Sequence, residues 1–154
     1  MAVTLSHLRG AFKLSDSEGI TRTYPRGPIY RDGDDGSSMF IITSGKVKIT
    51  KNMYGIMVAV ADLGPCDYFG YMAFFEGERR SATALAETPV IAQEYDRKAL
   101  AAHIAAEPEF AFALLRAMSH RLKQVDERVA DLVATKRLQP EGAAELGGGI
   151  FGAG

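Results

Sequence analysis

The sequence predicts a mainly β domain with flanking helices, the last of them long and C-terminal. Three observations carry this expectation. Short runs rich in β-branched and aromatic residues recur between turn clusters from Ile20 to Tyr95. The pattern switches to helical spacing at Asp96. A seam of apolar residues in a/d positions then persists over three heptads. Short strands so spaced point to an antiparallel sandwich or barrel rather than a parallel sheet with crossover helices.

Residues 1–19 form a helical lead-in, with Leu5, Leu8 and Phe12 at helical spacing and Gly19 after the polar break Ser15-Asp16-Ser17. Residues 20–134 form the main domain. Its turns are Pro25-Arg26-Gly27-Pro28, Asp32-Gly33-Asp34-Asp35-Gly36, Ser44-Gly45, Tyr54-Gly55, Leu63-Gly64-Pro65 and Glu76-Gly77-Glu78. Between them lie strand candidates Met39–Thr43, Lys46–Lys51, Ile56–Ala61, Ser81–Ala86 and Val90–Tyr95. Lys46-Val47-Lys48-Ile49-Thr50 alternates polar and apolar, as a half-buried strand should.

Asp96 is placed to cap a helix through Ala106, and Pro108 suits the first turn of another that runs to about Ala134. On that second helix Leu115, Leu122 and Val129 make one series and Met118, Val125 and Leu132 the other. Arg116, Arg121, Lys123, Asp126, Glu127, Arg128 and Asp131 flank the seam. A seam this regular is expected to meet a second copy in a parallel homodimer; the alternative is a stripe folded back on its own barrel. Residues 135–154 read as a flexible Gly-rich tail. Gly149, Gly152 and Gly154 echo a nucleotide-loop spacing, but no strand pattern precedes them.

The chain's 154 residues suit one domain with a real core. Its apolar fraction of 47%, charged fraction of 24% and net charge of −1 are ordinary and exclude a global field for nucleic acid or anionic membrane. The single cysteine, Cys66, excludes an internal disulfide and a multi-cysteine metal site. No apolar run reaches the about 18 residues of a membrane span, and the first residues lack a leader pattern, so a cytoplasmic location is expected.

The most informative segment runs from Phe69 to Thr83. A phosphate needs backbone N–H donors that approach closely and a fixed cation. Gly70 permits the approach, the residues after it are able to turn into a short helix facing the anion, and Arg80 supplies a bidentate fork. Ser81 adds a hydroxyl and a backbone donor, and Ala82 leaves room for ligand against the backbone. Taken alone, the spacing also fits an ordinary hairpin excursion with a surface arginine. Arg79, adjacent, reads as a solvated charge pointing away.

The order of these segments resembles the cyclic nucleotide-binding domain family, found in catabolite-activator-type bacterial regulators, protein kinase A regulatory subunits and nucleotide-gated channels. Tyr24 to Asp34 looks like the family's first β-turns, and Met39 to Ile49 like its structural glycine and flanking strands. Leu63 to Gly70 leads into the phosphate-binding cassette, matched at Phe69, Gly70, Met72, Ala73, Arg80, Ser81, Ala82 and Thr83; the family often has glycine at the Cys66 position. The resemblance implies a β-roll, a double-stranded jelly-roll-like barrel, with a long C-terminal dimerisation helix. It implies a cyclic nucleotide ligand, cyclic AMP or cyclic GMP, gripped by Arg80, Gly70, Ser81 and Ala82, and no further cofactor. It places Val125 and Asp126 where the long helix meets the purine; Asp126 reads equally as a solvent-facing acid.

Tyr71 departs from the family, which usually has glutamate there on the ribose 2′-hydroxyl. Losing a charge-assisted hydrogen bond costs roughly 1.5–3 kcal/mol, or about one to two decades in affinity. Three readings stay open. Tyr71 contacts a ribose or phosphate oxygen and weak binding survives, or it reshapes the pocket for another phosphate compound such as a cyclic dinucleotide, or it fills the pocket.

No helix-turn-helix pattern follows Leu132, so direct DNA binding is not expected. No catalytic set stands out: His7, His103 and His120 are scattered, with surface or dimer-face roles expected for the last two, and Cys66 reads as a turn residue. Asp32, Asp34, Asp35 and Gly36 hint at a calcium loop, but the glycine falls one place early and Thr43 stands where a glutamate belongs. The leading expectation is a stand-alone sensor, not an enzyme, that signals through its C-terminal helix to an unidentified protein partner. The alternatives are a ligand-free dimerisation or interaction module and a truncated regulator acting through mixed dimers.

Overall fold

The computed structural model describes residues 19–138. The lead-in and all but the first residues of the tail lie outside the described residues. Within them the order is β1 Ile20–Tyr24, β2 Gly27–Tyr30, β3 Met39–Ser44, β4 Val47–Met53, β5 Ile56–Leu63, β6 Tyr68–Phe69, α1 Tyr71–Glu76, β7 Thr83–Ala86, β8 Val90–Tyr95, α2 Arg97–Ala106 and α3 Pro108–Leu138. Two compact units divide the chain between Leu115 and Arg116, inside α3.

The strands form two antiparallel four-stranded sheets, β1-β8-β3-β6 and β2-β7-β4-β5. The jelly-roll-like expectation is met by two open sheets in place of a closed barrel. Phe40, Ile42, Phe69, Val90 and Ala92 from one sheet meet Val47, Leu63, Ala84 and Ala86 from the other in a single core. Burying such side chains supplies roughly 1.5–3 kcal/mol each for the larger ones. β3 is buried along Met39–Ile42, which is why its sequence is a continuous apolar run rather than an alternation. β4 is buried at Val47 and Thr50 and open at its far end.

β1 and β2 were harder to read, because Pro25, Gly27 and Pro28 interrupt them. Pro28 is tolerated because β2 is an edge strand, with a register shift between Pro28 and Tyr30. The hairpin joining β4 and β5 turns at Tyr54 and Gly55, both with positive φ (56° and 83°), and Gly55 N donates to Asn52 Oδ1 at 2.8 Å. Past a register shift at Ile49/Thr50 the hairpin carries exposed Met53, Ile56, Met57, Val58 and Val60.

Cys66 sits in the left-handed region with φ 70°, and its N–H donates to Ile42 O at 2.8 Å. That backbone demand explains why glycine suits the position. Cys66→Gly is expected to stabilise the protein by about 0.5–1 kcal/mol, the relieved strain outweighing glycine's entropy cost. A urea midpoint equal to or below that of the parent would refute this.

Asp96 caps α2 as expected, accepting from Ala99 N at 2.7 Å. α3 runs on to Leu138, past the expected end near Ala134. Thr135 Oγ1 there donates to Asp131 O at 2.8 Å, and Lys136 in the last turns suits the helix dipole. His103 corrects the surface role expected of it. It is 1% exposed, its ring stacked on Phe110 at 4.0 Å and beside Tyr95 at 5.6 Å. The face of α2 that holds it turns inward with Leu100. His120 is exposed, as expected, and His7 lies outside the described residues. Among the described residues no helix is long and apolar enough to cross a membrane.

Candidate functional site: an arginine cradle beside a short helix

Gly70 ends β6 and opens α1. It adopts φ 74°, a left-handed value that lets the chain reverse into the helix. A side chain at Gly70 would strike Arg80: an added Cβ would lie 2.8 Å from Nη1 and 3.3 Å from Phe40. The close approach that glycine allows is therefore made first by the arginine.

Arg80 is held from several sides and is only 4% exposed. Nη1 donates to Gly70 O at 2.6 Å and Nη2 to Ser38 O at 2.6 Å. Its Cζ lies 4.3 Å from the centre of the Tyr30 ring and 5.7 Å from that of Phe40. Tyr30, Phe40 and Phe69 form a cluster of three mutually contacting rings beside it, with the Phe40–Phe69 rings 4.9 Å apart. The arginine's main chain is fixed too, since Arg80 N donates to Asp34 O at 2.9 Å and Gly33 N donates to Arg80 O at 2.8 Å.

The acidic turn at residues 32–35 is thus a brace for the cassette. Among the described residues no cluster of metal ligands is found. Packing is tight here: a Cβ at Gly36 would fall on Glu78 O and lie 2.6 Å from the Ala73 Cβ. Arg79 is exposed, as a solvated charge should be, and donates to Gly33 O at 3.0 Å.

Arg80 makes no ion pair with a described residue, and its buried Nε has no hydrogen-bond partner. Burial pushes its guanidinium below the ordinary arginine value, while Tyr30, Asp35, Glu94 and Asp34 pull it back up. Burial likewise raises the Tyr30 phenol, against the lowering effect of Arg80, and neighbouring Tyr71 adds to the rise. Asp35 is held below the usual carboxylate range, first by the Ser37 hydroxyl that donates to it. A buried cation with a spare donor and no direct ion pair is costly, and such positions are candidates for anion binding.

The other expected site residues divide clearly. Phe69 is buried in the ring cluster, stacked on both Tyr30 and Phe40. Tyr71, first residue of α1, is half-buried, its ring 4.8 Å from that of Tyr68. Ala73 is buried, Met72 is 52% exposed, Ser81 is exposed and Ala82 half-buried. Val125 and Asp126 are exposed and belong to the second unit, whereas the residues that hold Arg80 belong to the first.

Sequence reading missed Tyr30, Ser38 and Glu94, which strand pairing brings to the cradle. The one available signal was Glu94 itself, a charge inside the otherwise apolar or neutral run Val90–Tyr95.

Comparison with known proteins agrees with this fold. The family described as "Cyclic nucleotide-binding domain" matches residues 21–107. The "CRP-like cAMP-activated global transcriptional regulator" of Mycobacterium tuberculosis is 37% identical over 114 residues, covering 73% of this chain and 51% of that protein. The "Cyclic AMP receptor protein" of Thermus thermophilus is 33% identical over 107 residues, covering 68% of this chain and 50% of its own. The chain therefore spans about half the length of these relatives. The crystal structure of Thermus thermophilus catabolite activator protein superimposes with a TM-score of 0.73 at 29% identity, over 84% of this chain and 63% of that one. With the family model matching residues 21–107 and a two-sheet fold beneath it, the chain belongs to the cyclic nucleotide-binding domain family.

Proposed function

We propose that this chain is a regulatory sensor that binds a cyclic nucleotide at Arg80 and signals through its C-terminal helix. One observation carries the reading: a buried guanidinium with an unpaired Nε and no ion-pair partner, in the loop between α1 and β7. The cyclic phosphate supplies the missing negative charge. Ser81 and the backbone at Ala82 complete the grip. Cyclic AMP is preferred over cyclic GMP as ligand, because both relatives compared by sequence above are named for cyclic AMP. The exposed seam residues Leu115, Leu122, Val125, Val129 and Leu132 support a parallel homodimer as the signalling form, with Met118 half-buried beside them. Ligand acts by favouring one of two helix arrangements.

A second reading is a ligand-free interaction module. It is favoured by the two backbone carbonyls, Gly70 O and Ser38 O, that already hold Arg80.

A thermal melt against cyclic AMP, cyclic GMP and cyclic dinucleotides separates the two, since a ligand of the folded state raises the midpoint. Cyclic AMP is expected to give the largest rise. Tyr71→Glu, which puts a carboxylate at the first position of α1, is expected to tighten cyclic AMP binding by about one to two decades in calorimetry. Flat melts for every nucleotide in both proteins would favour the ligand-free module.

A further inference from the structure

Ser38 immediately precedes β3, and Glu94 pairs with Phe40 across β3 and β8. The Ser38 hydroxyl donates to Glu94 Oε1 at 2.9 Å. That contact uses the hydroxyl's single proton, so toward Arg80 the oxygen is an acceptor only. Arg80 Nη2 lies 3.4 Å from it while donating to Ser38 O. The second oxygen of Glu94 is fixed from the far side, accepting from Arg22 Nε at 2.8 Å. The Glu94 side chain is 24% exposed against 51% for Arg22, so the carboxylate is sheltered while its outer partner is wet. A carboxylate thus reaches the buried guanidinium through one hydroxyl, at Nη2 rather than at the Nη1 that donates to Gly70 O.

We propose that Glu94, acting through Ser38, is the positioning residue and remote counter-charge of the Arg80 anion site, in place of a carboxylate on the cassette loop. It fixes the acceptor face of Ser38 toward Nη2 and so sets which edge of the guanidinium stays open. It also offsets part of the cost of burying the cation without occupying the donors that a phosphate needs. The assignment rests on Arg80 being the ligand-binding cation, and its test is chosen to be readable without ligand.

The experiment uses the full chain, first ligand-free and then with cyclic AMP. The Nη–Hη NMR signals of Arg80, assigned by their loss in Arg80→Lys, report how the guanidinium is held. Glu94→Gln keeps an acceptor for Ser38 but removes the charge, and Ser38→Ala removes the hydroxyl. Both are expected to shift the Arg80 signals in the ligand-free protein. Both should also weaken cyclic AMP binding about three- to tenfold, the loss of one modest hydrogen bond. The double variant should bind no worse than the weaker single one, because the two residues act in series. Ser38→Thr, which retains the hydroxyl, should remain close to the parent. Wild-type signals in both Glu94→Gln and Ser38→Ala would overturn the proposal, as would a lowered urea midpoint with unmoved signals, the mark of a merely structural role. Absence of cyclic AMP binding in the parent protein defeats the sensor reading alone; the ligand-free signals still decide this one.

Discussion

Arg80→Ala is expected to lower cyclic AMP affinity by at least about two decades and to cost stability as well. The substitution removes a bidentate, charge-assisted grip in which each hydrogen bond is worth roughly 1.5–3 kcal/mol. It also strips Gly70 O and Ser38 O of the donors that hold them at 2.6 Å. Leaving such carbonyls unpaired costs about 1–3 kcal/mol each, but removing a desolvated cation returns part of that. A net stability loss of about 1–3 kcal/mol follows. Arg80→Lys separates the effects, since it keeps the charge but lacks the planar fork and the stacking on Tyr30. Its affinity should fall between the two. Calorimetry reads the binding and urea unfolding the stability. Undiminished affinity in folded Arg80→Ala protein would remove the phosphate site from this loop.

Gly45→Ala should be the most damaging single-methyl change to the fold, about 3–5 kcal/mol, from strain and overpacking together. Gly45 joins β3 to β4 with φ 95°, where an L side chain is strained. An added Cβ would fall on Pro89 O and lie 2.9 Å from both Val90 Cα and Cγ2. Two of these obstacles are backbone, and Val90 is fully buried in the core. The turn has little freedom to retreat, because Lys46 N donates to Thr88 Oγ1 and Glu87 N to Lys46 O, both at 2.9 Å. A domain stable by about 5–15 kcal/mol loses much of its margin. Gly55→Ala is the control: its φ of 83° carries similar strain, but an added Cβ there meets nothing within 4 Å. Equal urea midpoints for the two variants would show that the Pro89–Val90 contact does not matter.

Much of this architecture could be read from the chain because its signals are local. Ser44-Gly45 marks a turn whose geometry requires glycine, and Val90–Tyr95 and Arg97–Ala106 are bounded by unambiguous caps and turns. The excursion that carries the site candidates was legible for the same reason: Gly70 and Arg80 lie within it, and the helix expected after Gly70 is present as α1. What could not be read is what pairing brings from a distance. Ser38 and Glu94 are 56 residues apart, and only the β3–β8 register makes them neighbours. Tyr30 reads as part of a turn, because Pro28 and Gly27 disguise an edge strand; its ring faces the guanidinium. His103 was misplaced because α2 has an apolar side that periodicity alone reads weakly over ten residues.

Clamping the guanidinium on Gly70 O and Ser38 O has a thermodynamic consequence for recognition. An arginine loses roughly 2 kcal/mol of rotamer freedom when it is immobilised. Here that loss is incurred when the polypeptide folds, not when a small molecule arrives. A nucleotide bound as proposed would meet a donor edge already locked in direction, which would help a pocket short of one carboxylate to bind it.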